Sequence, residues 1–143
     1  MNTNASNPKV IEELIRKELI DHIAIDFKAP LDKYEKVIGT KIDTEKIEKS
    51  LEICSNFKFL EIRTTFVPNF LDIKDLIEIV MYLKNKVKNF FYVIQQFNPS
   101  NTLINLNWKY VDINEIIEIA KIVKEKTKLE KIYIRTKANV KEI

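Results

Sequence analysis

The amino-acid sequence predicts an α/β fold with a parallel β-sheet, and two features of its hydrophobic pattern carry this prediction. Stretches with apolar residues at helical spacing alternate with short apolar runs rich in β-branched residues. The short runs start roughly 30 to 40 residues apart, which leaves room for a helical crossover between successive strands. Such βαβ units are right-handed and give parallel strands. The predicted order is α-β-α-β-α-β-α-β, in a single domain that spans residues 1–143.

Each predicted helix begins at a residue that can cap the first helical turn. Asn7 precedes Pro8, and proline is favoured at the first helical position. Asp112 is followed three residues later by Glu115, a spacing that resembles a capping box. The four predicted starts, in chain order, are Asn7, Asp43 or Thr44, Asp72 and Asp112. Apolar residues recur with helical spacing after each start, as expected for helices that bury one face.

Four short apolar runs are the predicted strands. They cover residues 22–28 (HIAIDFK), 59–66 (FLEIRTTF), 90–97 (FFYVIQQF) and 131–135 (KIYIR). Two connections, 29–42 and 98–111, are long for an α/β domain, and each follows the carboxyl end of a strand. Connections of that length usually serve a function or contain a short helix, and α/β folds bind ligands at the carboxyl ends of their strands. The polar tail after Thr136 is expected to be irregular.

Composition excludes several classes of protein. A single cysteine, Cys54, excludes a disulfide framework and any thiolate-only zinc or iron–sulfur site built by this chain alone. A single glycine, Gly39, excludes the glycine-rich phosphate loops of Walker-type and Rossmann sites. The net charge of +3 comes from 24 basic and 21 acidic residues that are spread along the chain, without the basic stripe of a nucleic-acid-binding protein. With neither a membrane-length apolar run nor a signal peptide, the expectation is a cytoplasmic protein that binds neither nucleic acid nor membranes.

Charged and amide side chains interrupt strands that would be apolar if both faces of the sheet were buried. Strand periodicity allows these side chains, all close to the carboxyl ends of strands, to converge on one interior: Asp26, Lys28, Glu61, Arg63 and either Gln95 or Gln96. Because burial of an unpaired charge is costly, they must pair with one another or with a ligand. A structural network would join Asp26 to Lys28 and Glu61 to Arg63. Their position beside the long connections favours a ligand site instead.

Four residues with chemically distinctive side chains need separate interpretation. His22 stands alone at the start of a strand, without a second metal ligand beside it, which favours a surface or capping role. Cys54 lies on the apolar stripe of a predicted helix and is expected in the core. Trp108 either stacks on a ligand or anchors the second long connection. Lys28, in an α/β barrel strand, is also a candidate Schiff-base lysine.

Two sequence blocks resemble those of the radical S-adenosylmethionine (SAM) enzymes that activate anaerobic ribonucleoside-triphosphate reductase or pyruvate formate-lyase. These blocks are residues 23–30 (IAIDFKAP) and 61–68 (EIRTTFVP). Weaker matches are residues 3–8 (TNASNP), Tyr34, Gly39, Lys49 with Ser50, and residues 95–99 (QQFNP). The order and spacing of the matches resemble the carboxyl-terminal part of the family across almost the whole chain.

The resemblance implies a partial (β/α)6 barrel, of which this chain would contribute about four βα units. Asp26 and Lys28 match family residues that contact the ribose and methionine portions of SAM, and Arg63 matches an arginine near the methionine carboxylate. Gln96 and Asn98 match the segment beside the adenosine. The implied activity uses a [4Fe–4S] cluster to generate a 5′-deoxyadenosyl radical. This radical would abstract a hydrogen atom from a backbone glycine of a glycyl-radical enzyme such as anaerobic ribonucleotide reductase.

The chain departs from the family pattern where the iron–sulfur cluster binds. It lacks the Cys-x3-Cys-x2-Cys loop and the first three strands, and Cys54 alone cannot supply the cluster ligands. Two family glycines, after Thr-Asn and after Val-Pro, are Ala5 and Asn69 here. We therefore expect the carboxyl-terminal half of an activating enzyme, inactive alone and joined to an amino-terminal half or a second copy, since a cut barrel exposes strand edges. The alternatives are a non-catalytic ligand-binding or regulatory module and a Lys28 Schiff-base barrel enzyme.

Overall fold

The computed structural model describes residues 1–99, 110–137 and 139–143. Within these residues, one sheet contains β1 (Asn2–Thr3), β2 (Ile23–Asp26), β3 (Leu60–Phe66), β4 (Phe91–Gln96), β5 (Ile132–Arg135) and β6 (Val140–Glu142). The spatial order of the strands follows their order along the chain. Neighbours are parallel from β1 to β5, whereas β5 and β6 are antiparallel. The predicted α/β fold is confirmed, and the predicted parallel pairing holds from β1 to β5 but not for β6. Closure of the sheet into a partial barrel stays a prediction.

The helices of the described residues are α1 (Pro8–Arg16), α2 (Tyr34–Ile38), α3 (Thr44–Cys54), α4 (Ile73–Lys86) and α5 (Ile113–Thr127). The side chains of Asn7 and Asp112 accept hydrogen bonds from backbone N–H groups in the first turns of α1 and α5. Asp72 and Asp75 form a reciprocal capping box at the start of α4. Asp43 precedes α3 as predicted, but its side chain makes no capping hydrogen bond. In this part of the chain, no helix is both long and apolar enough to cross a membrane.

The sheet contains two strands that the sequence did not predict. Four strands were expected, and the tail after Thr136 was expected to be irregular, but β1 and β6 pair with the two outer predicted strands. β1 is two residues long, and the adjacent Met1 carbonyl accepts a hydrogen bond from the N–H of Ala24 at 2.8 Å. β6 is exposed along its whole length. β1 has two residues and β6 has three, and most of them are polar, so neither segment shows an alternating hydrophobic pattern. They form strands because they pair with a neighbouring strand.

The first long connection, 29–42, contains a 3-10 turn at Leu31–Lys33 followed directly by α2, in line with the expectation for its length. α2 ends at Gly39, whose φ of +72° lies in the left-handed region that glycine adopts without steric cost. Most of the second long connection, 98–111, lies outside the described residues. Trp108 is among those undescribed residues, so its role stays a prediction.

Alternate residues of each strand point to opposite faces of the sheet, and these two faces differ in chemistry. On one face, here called the covered face, residues of the four central strands are buried in a single apolar core with the helices: Ile25, Ile62, Ile94 and Ile134. On the opposite face, here called the open face, the β3 residues Glu61, Arg63 and Thr65 are all partly exposed. The charged side chains of the four central strands therefore lie on the face that the described helices leave free.

Candidate functional site

Three of the predicted site residues meet on the open face. The register of β2 and β3 places Asp26 beside Arg63. The Nε–H group of Arg63 donates a hydrogen bond to Asp26 Oδ1, and Lys28 Nζ lies 3.3 Å from Asp26 Oδ2. The side chains of Asp26 and Lys28 are 34% and 38% exposed, whereas that of Arg63 is 16% exposed. One carboxylate is thus shared between two cations at the carboxyl end of β2.

The second carboxylate of the open face, Glu61, is the second residue of β3 and so lies at the amino end of that strand, not near its carboxyl end as predicted. It lies between two arginines. Arg135 on β5 reaches across β4, so that its Nη1 lies 2.9 Å from Glu61 Oε1 and its Nη2 donates to Oε2 at 3.1 Å. Arg63 Nη1 lies 3.5 Å from Glu61 Oε1. This Oε1 is buried and receives no hydrogen bond of good geometry from the described residues, so nearby positive charge alone balances it. Lys28, Asp26, Arg63, Glu61 and Arg135 form a continuous chain of alternating charge, here called the charge cluster.

The predicted ion pairs are present, but they are only part of the charge cluster. Asp26 pairs with Lys28 and, more closely, with Arg63. Glu61 pairs with Arg63, yet its hydrogen-bonded partner is Arg135, which the sequence analysis missed. Arg135 carries the same signal as the other members, since it is a charged residue at the carboxyl end of an apolar strand. Its partner is 74 residues away in the chain, so no local pattern shows the pairing.

The charge cluster lowers the pKa of Asp26. Burial raises the pKa of this carboxyl, but the hydrogen bond from Arg63 and the positive charges of Lys28 and Arg63 together outweigh burial. The pKa therefore lies below its ordinary value of 3.8, and the group is a carboxylate at neutral pH. An ionised carboxylate has only acceptor sites, which suits hydroxyl and ammonium groups on a ligand.

Hydrogen bonds to the backbone hold the end of β2 against β3. The N–H of Phe27 donates to the carbonyl of Arg63 at 2.9 Å. The buried Thr64 hydroxyl donates to the carbonyl of Phe27 at 2.7 Å and accepts from the Tyr92 hydroxyl at 3.0 Å. These bonds are formed by backbone and covered-face groups, so they do not depend on the exposed charges. The spacing of Asp26 and Arg63 is consequently set by the fold as well as by their ion pair.

The other predicted site residues, Gln96 and Asn98, are not members of the charge cluster, but both line a cleft that one of its arginines also lines. The alternation of residues along β4 places Gln96 on the covered face. Its amide donates hydrogen bonds to the carbonyl of Val111 at 2.8 Å and to the Tyr110 hydroxyl at 3.2 Å. It therefore fixes the segment that leads into α5. Asn98 lines a cleft of about 360 Å³ with the open-face Gln95 at the carboxyl ends of β4 and β5. The β5 arginine of the charge cluster also lines this cleft.

The residues of this chain do not fit an iron–sulfur cluster. Cys54 is buried on α3, and burial raises the pKa of its thiol to about 11, whereas cluster ligation needs thiolates. Within the described ranges, no three His, Cys, Asp or Glu side chains are grouped so that they could hold a metal ion. His22 is half exposed, with its Nε2 4.0 Å from Glu61 Oε2. It occupies a surface position, as its sequence context predicts.

Comparison with known proteins identifies a similar sequence in Methanocaldococcus jannaschii, which carries the name "putative glycyl-radical enzyme activating enzyme". The two sequences are 37% identical over 144 aligned residues, which cover 95% of this chain and 58% of the relative. The chain thus spans less than two thirds of the relative's length, and it matches a carboxyl-terminal portion. No protein-family model matches the chain. The resemblance to the carboxyl-terminal part of activating enzymes for glycyl-radical enzymes is confirmed.

Proposed function

We propose that this chain is the carboxyl-terminal, SAM-binding part of a cytoplasmic radical SAM enzyme that activates a glycyl-radical enzyme. The observation that carries the proposal is the 37% identity to the Methanocaldococcus jannaschii protein over 95% of the chain. The charge cluster supports it, because Asp26, Lys28 and Arg63 come from the two sequence blocks on which the resemblance rests. The activity, cofactor and partner of the whole enzyme are all part of this proposal.

The chemistry of the charge cluster suits SAM. The cofactor carries ribose hydroxyl groups, which need an acceptor, and an amino-acid carboxylate, which needs a cation. Asp26 offers the acceptor, and Lys28 and Arg63 offer the cations, all on the open face with part of each side chain exposed. When bound, the cofactor supplies the hydrogen-abstracting chemistry of such enzymes. The residues of this chain bind and orient it.

A ligand carboxylate that binds at the charge cluster takes the place of a protein carboxylate as the partner of Lys28 or Arg63. Asp26 has two cationic partners, and Glu61 keeps the bidentate contact with Arg135. A ligand carboxylate that engages Lys28 or Arg63 therefore leaves neither protein carboxylate without a cation. Since Asp26 and Lys28 are each about a third exposed, separating them costs about 1 kcal/mol or less. The charge cluster can thus hold its side chains in place and still admit a ligand.

Calorimetric titration of the chain with SAM tests this proposal. We expect saturable binding, weakened at least about tenfold by Arg63→Ala, because one charge-assisted hydrogen bond is lost. Arg16→Ala is the matched control, since it removes the same side chain from the exposed end of α1. An unmodified chain that binds no SAM would contradict the proposal, and so would equal affinities for the two arginine variants.

We further propose that the ligands of the [4Fe–4S] cluster come from polypeptide outside this chain. The chain has one cysteine, Cys54, and it is buried in the helical layer. Anaerobic reconstitution with iron and sulfide is therefore expected to give no cluster absorbance and no SAM cleavage. A brown protein with a stoichiometric cluster would contradict this expectation, most clearly if Cys54→Ser abolished the colour.

The proposed protein partners are a glycyl-radical enzyme, such as an anaerobic ribonucleotide reductase, and a polypeptide that covers the open face. The covering polypeptide is proposed to be an amino-terminal half or a second copy of this chain. Aromatic side chains support this proposal, because Phe59 is 46% exposed, and Phe91 and Tyr133 on the open face are partly exposed. Sedimentation of the purified chain tests the second copy, and a sharply monomeric species at high concentration would count against it.

A non-catalytic ligand-binding or regulatory module is the second candidate, favoured by the single buried cysteine. Adding a cluster-bearing amino-terminal half separates the two candidates, since SAM cleavage supports the activating enzyme and binding without cleavage supports the module. The surroundings of Lys28 do not favour a Schiff-base enzyme. Its ammonium is partly exposed and lies 3.3 Å from the Asp26 carboxylate, whereas Schiff-base lysines are activated by apolar pockets or neighbouring cations. Borohydride trapping with a carbonyl substrate is therefore expected to be negative.

A further inference from the structure

One buried hydroxyl group connects the backbones of the two charged residues at the end of β2. Tyr34, the first residue of α2, is 1% exposed. Its Oη accepts a hydrogen bond from the N–H of Lys28 at 3.0 Å and donates to the carbonyl of Asp26 at 3.4 Å. Lys28 lies beyond the last residue of β2, where the strand ladder no longer holds the chain. The tyrosine hydroxyl supplies a fixed partner at that point.

Contacts on both sides hold Tyr34 under the strand end. Its ring packs edge-on against Phe27, with ring centroids 5.6 Å apart. The preceding residue, Lys33, forms an ion pair of 2.5 Å with the buried carboxylate of Asp75 in the capping box of α4. The first long connection is therefore anchored to a helix on the covered side of the sheet, and Tyr34 is held between that anchor and β2.

The hydroxyl group of Tyr34 has a role that its ring does not explain. A phenylalanine would fill the same apolar space, whereas a buried hydroxyl group costs free energy unless it is hydrogen-bonded. Burial is the main reason that the pKa of Tyr34 rises to about 12, with the Lys28 N–H bond lowering it and the Asp26 charge raising it. The hydroxyl group therefore stays protonated and able to donate at neutral pH.

We propose that Tyr34 is a positioning residue, whose hydroxyl group sets the backbone of Asp26 and Lys28 so that both side chains face the ligand together with Arg63. This inference rests on the proposed function, because the ligand in question is SAM. The side chains of Asp26 and Lys28 extend from a strand end, so a small backbone rotation moves both charges relative to Arg63. Misplacement of charged groups by about 1 Å is enough to weaken binding substantially.

Two tyrosine-to-phenylalanine variants give a matched test. Tyr34→Phe removes the hydroxyl group beneath the charge cluster. Tyr82→Phe removes a hydroxyl group that donates to Glu48 at 2.7 Å, from a ring that stacks on Phe27 with ring centroids 5.9 Å apart. We expect SAM affinity by calorimetry to fall about fivefold or more in Tyr34→Phe, because both hydrogen bonds that hold the backbone of Asp26 and Lys28 are lost. Tyr82→Phe is expected to bind within about twofold of the unmodified chain.

Amide hydrogen exchange supplies a measurement that does not require the ligand. The N–H of Lys28 is expected to exchange faster in Tyr34→Phe than in Tyr82→Phe, while the amides of β3 stay unchanged, because only the first variant removes its acceptor. Unchanged exchange at Lys28 would overturn the backbone bridge. Faster exchange throughout β2 and β3 would show general loosening and would also overturn it.

The outcomes separate this inference from the proposed function. If the unmodified chain binds SAM and Tyr34→Phe binds it equally well, the positioning role is wrong and the proposed function stands. If Tyr34→Phe and Tyr82→Phe weaken binding equally, general packing explains the effect and the positioning role is wrong. If the unmodified chain binds no SAM, the proposed function fails together with the ligand part of this inference, and amide exchange then tests the backbone bridge alone.

Discussion

The covered and open faces of the sheet share one backbone, yet they meet opposite physical demands. Ile62 and Arg63 are neighbours in β3, but the first is fully buried among helices and the second contacts two carboxylates on the free face. On the covered face, every buried carbon contributes to stability through the hydrophobic effect. On the open face, each member of the charge cluster is balanced by at least one other, and its side chain keeps between 14% and 38% exposure. Substitutions on the two faces should therefore affect different properties of the protein.

The largest loss of stability is expected from truncation on the covered face. Ile62→Ala removes buried methyl and methylene groups and leaves a cavity, which typically costs about 2–5 kcal/mol in the free energy of unfolding. Thr65→Ala, on the open face of the same strand, is the matched control, expected to change this free energy by about 0.5 kcal/mol or less. Urea unfolding measures both variants. Equal losses in the free energy of unfolding would show that the two faces contribute equally to stability.

The next largest effect is expected at the more buried end of the charge cluster. Arg135→Ala leaves Glu61, which is 14% exposed, with Arg63 at 3.5 Å as its nearest arginine. An inadequately paired carboxylate in such a place costs about 1–3 kcal/mol. Arg16→Ala, at the exposed end of α1, is expected to have almost no effect on unfolding. If Arg135→Ala were as harmless as Arg16→Ala, Glu61 would be adequately hydrated without its partner.

A smaller loss of stability is expected in the middle of the same cluster, at Arg63. Arg63→Ala leaves Asp26 with Lys28 and leaves Glu61 with Arg135, so each carboxylate keeps a cation. The cost should be about 1 kcal/mol, near the range of partly exposed ion pairs. A loss above about 3 kcal/mol in thermal or urea unfolding would identify the charge cluster as a structural network whose main role is stability.

The smallest effect is expected from the acid titration of Asp26. Its pKa in the folded protein lies below the ordinary value of 3.8, so the stabilisation it provides is fully present above that value and is lost as pH falls through the lower, folded-state pKa. Asp26→Asn cannot titrate. The difference in unfolding free energy between the unmodified chain and Asp26→Asn should therefore shrink as pH is lowered below 3.8. A difference that stays constant or grows on acidification would contradict the assigned ion pairs.

Strand periodicity was enough to predict which charges share a face. Asp26, Lys28 and Arg63 could be placed together because successive strand residues alternate and parallel strands end at the same edge. Arg135 carried the same signal, but the register of β3, β4 and β5 places it level with Thr65, and its contact with Glu61 across the intervening strand is seen only in the tertiary structure. Register depends on packing of the whole sheet, which no local pattern contains.

Other features of the site depend on backbone groups in connecting segments, which have no periodic sequence pattern. The bridge from Tyr34 to the end of β2 forms because the first long connection folds back onto the sheet and is anchored by Lys33. Gln96, predicted beside the ligand, lines the cleft that Arg135 also lines, and its amide donates to the segment before α5. In both cases the partner is a backbone group whose position is fixed by tertiary structure. Residue type and spacing therefore predict which chemical groups are present at the site more reliably than they predict how those groups are arranged.

We propose that the open face binds the ligand and that the covered face holds the fold together. The most direct test of this claim is an NMR titration of the isotope-labelled chain with SAM. We expect chemical-shift changes concentrated in the backbone amides of Asp26, Lys28 and Arg63 and at the carboxyl ends of β3 and β4. Amides of α3 and α4 should be almost unchanged. No saturable shifts, or shifts centred on the helices of the covered face, would contradict the claim.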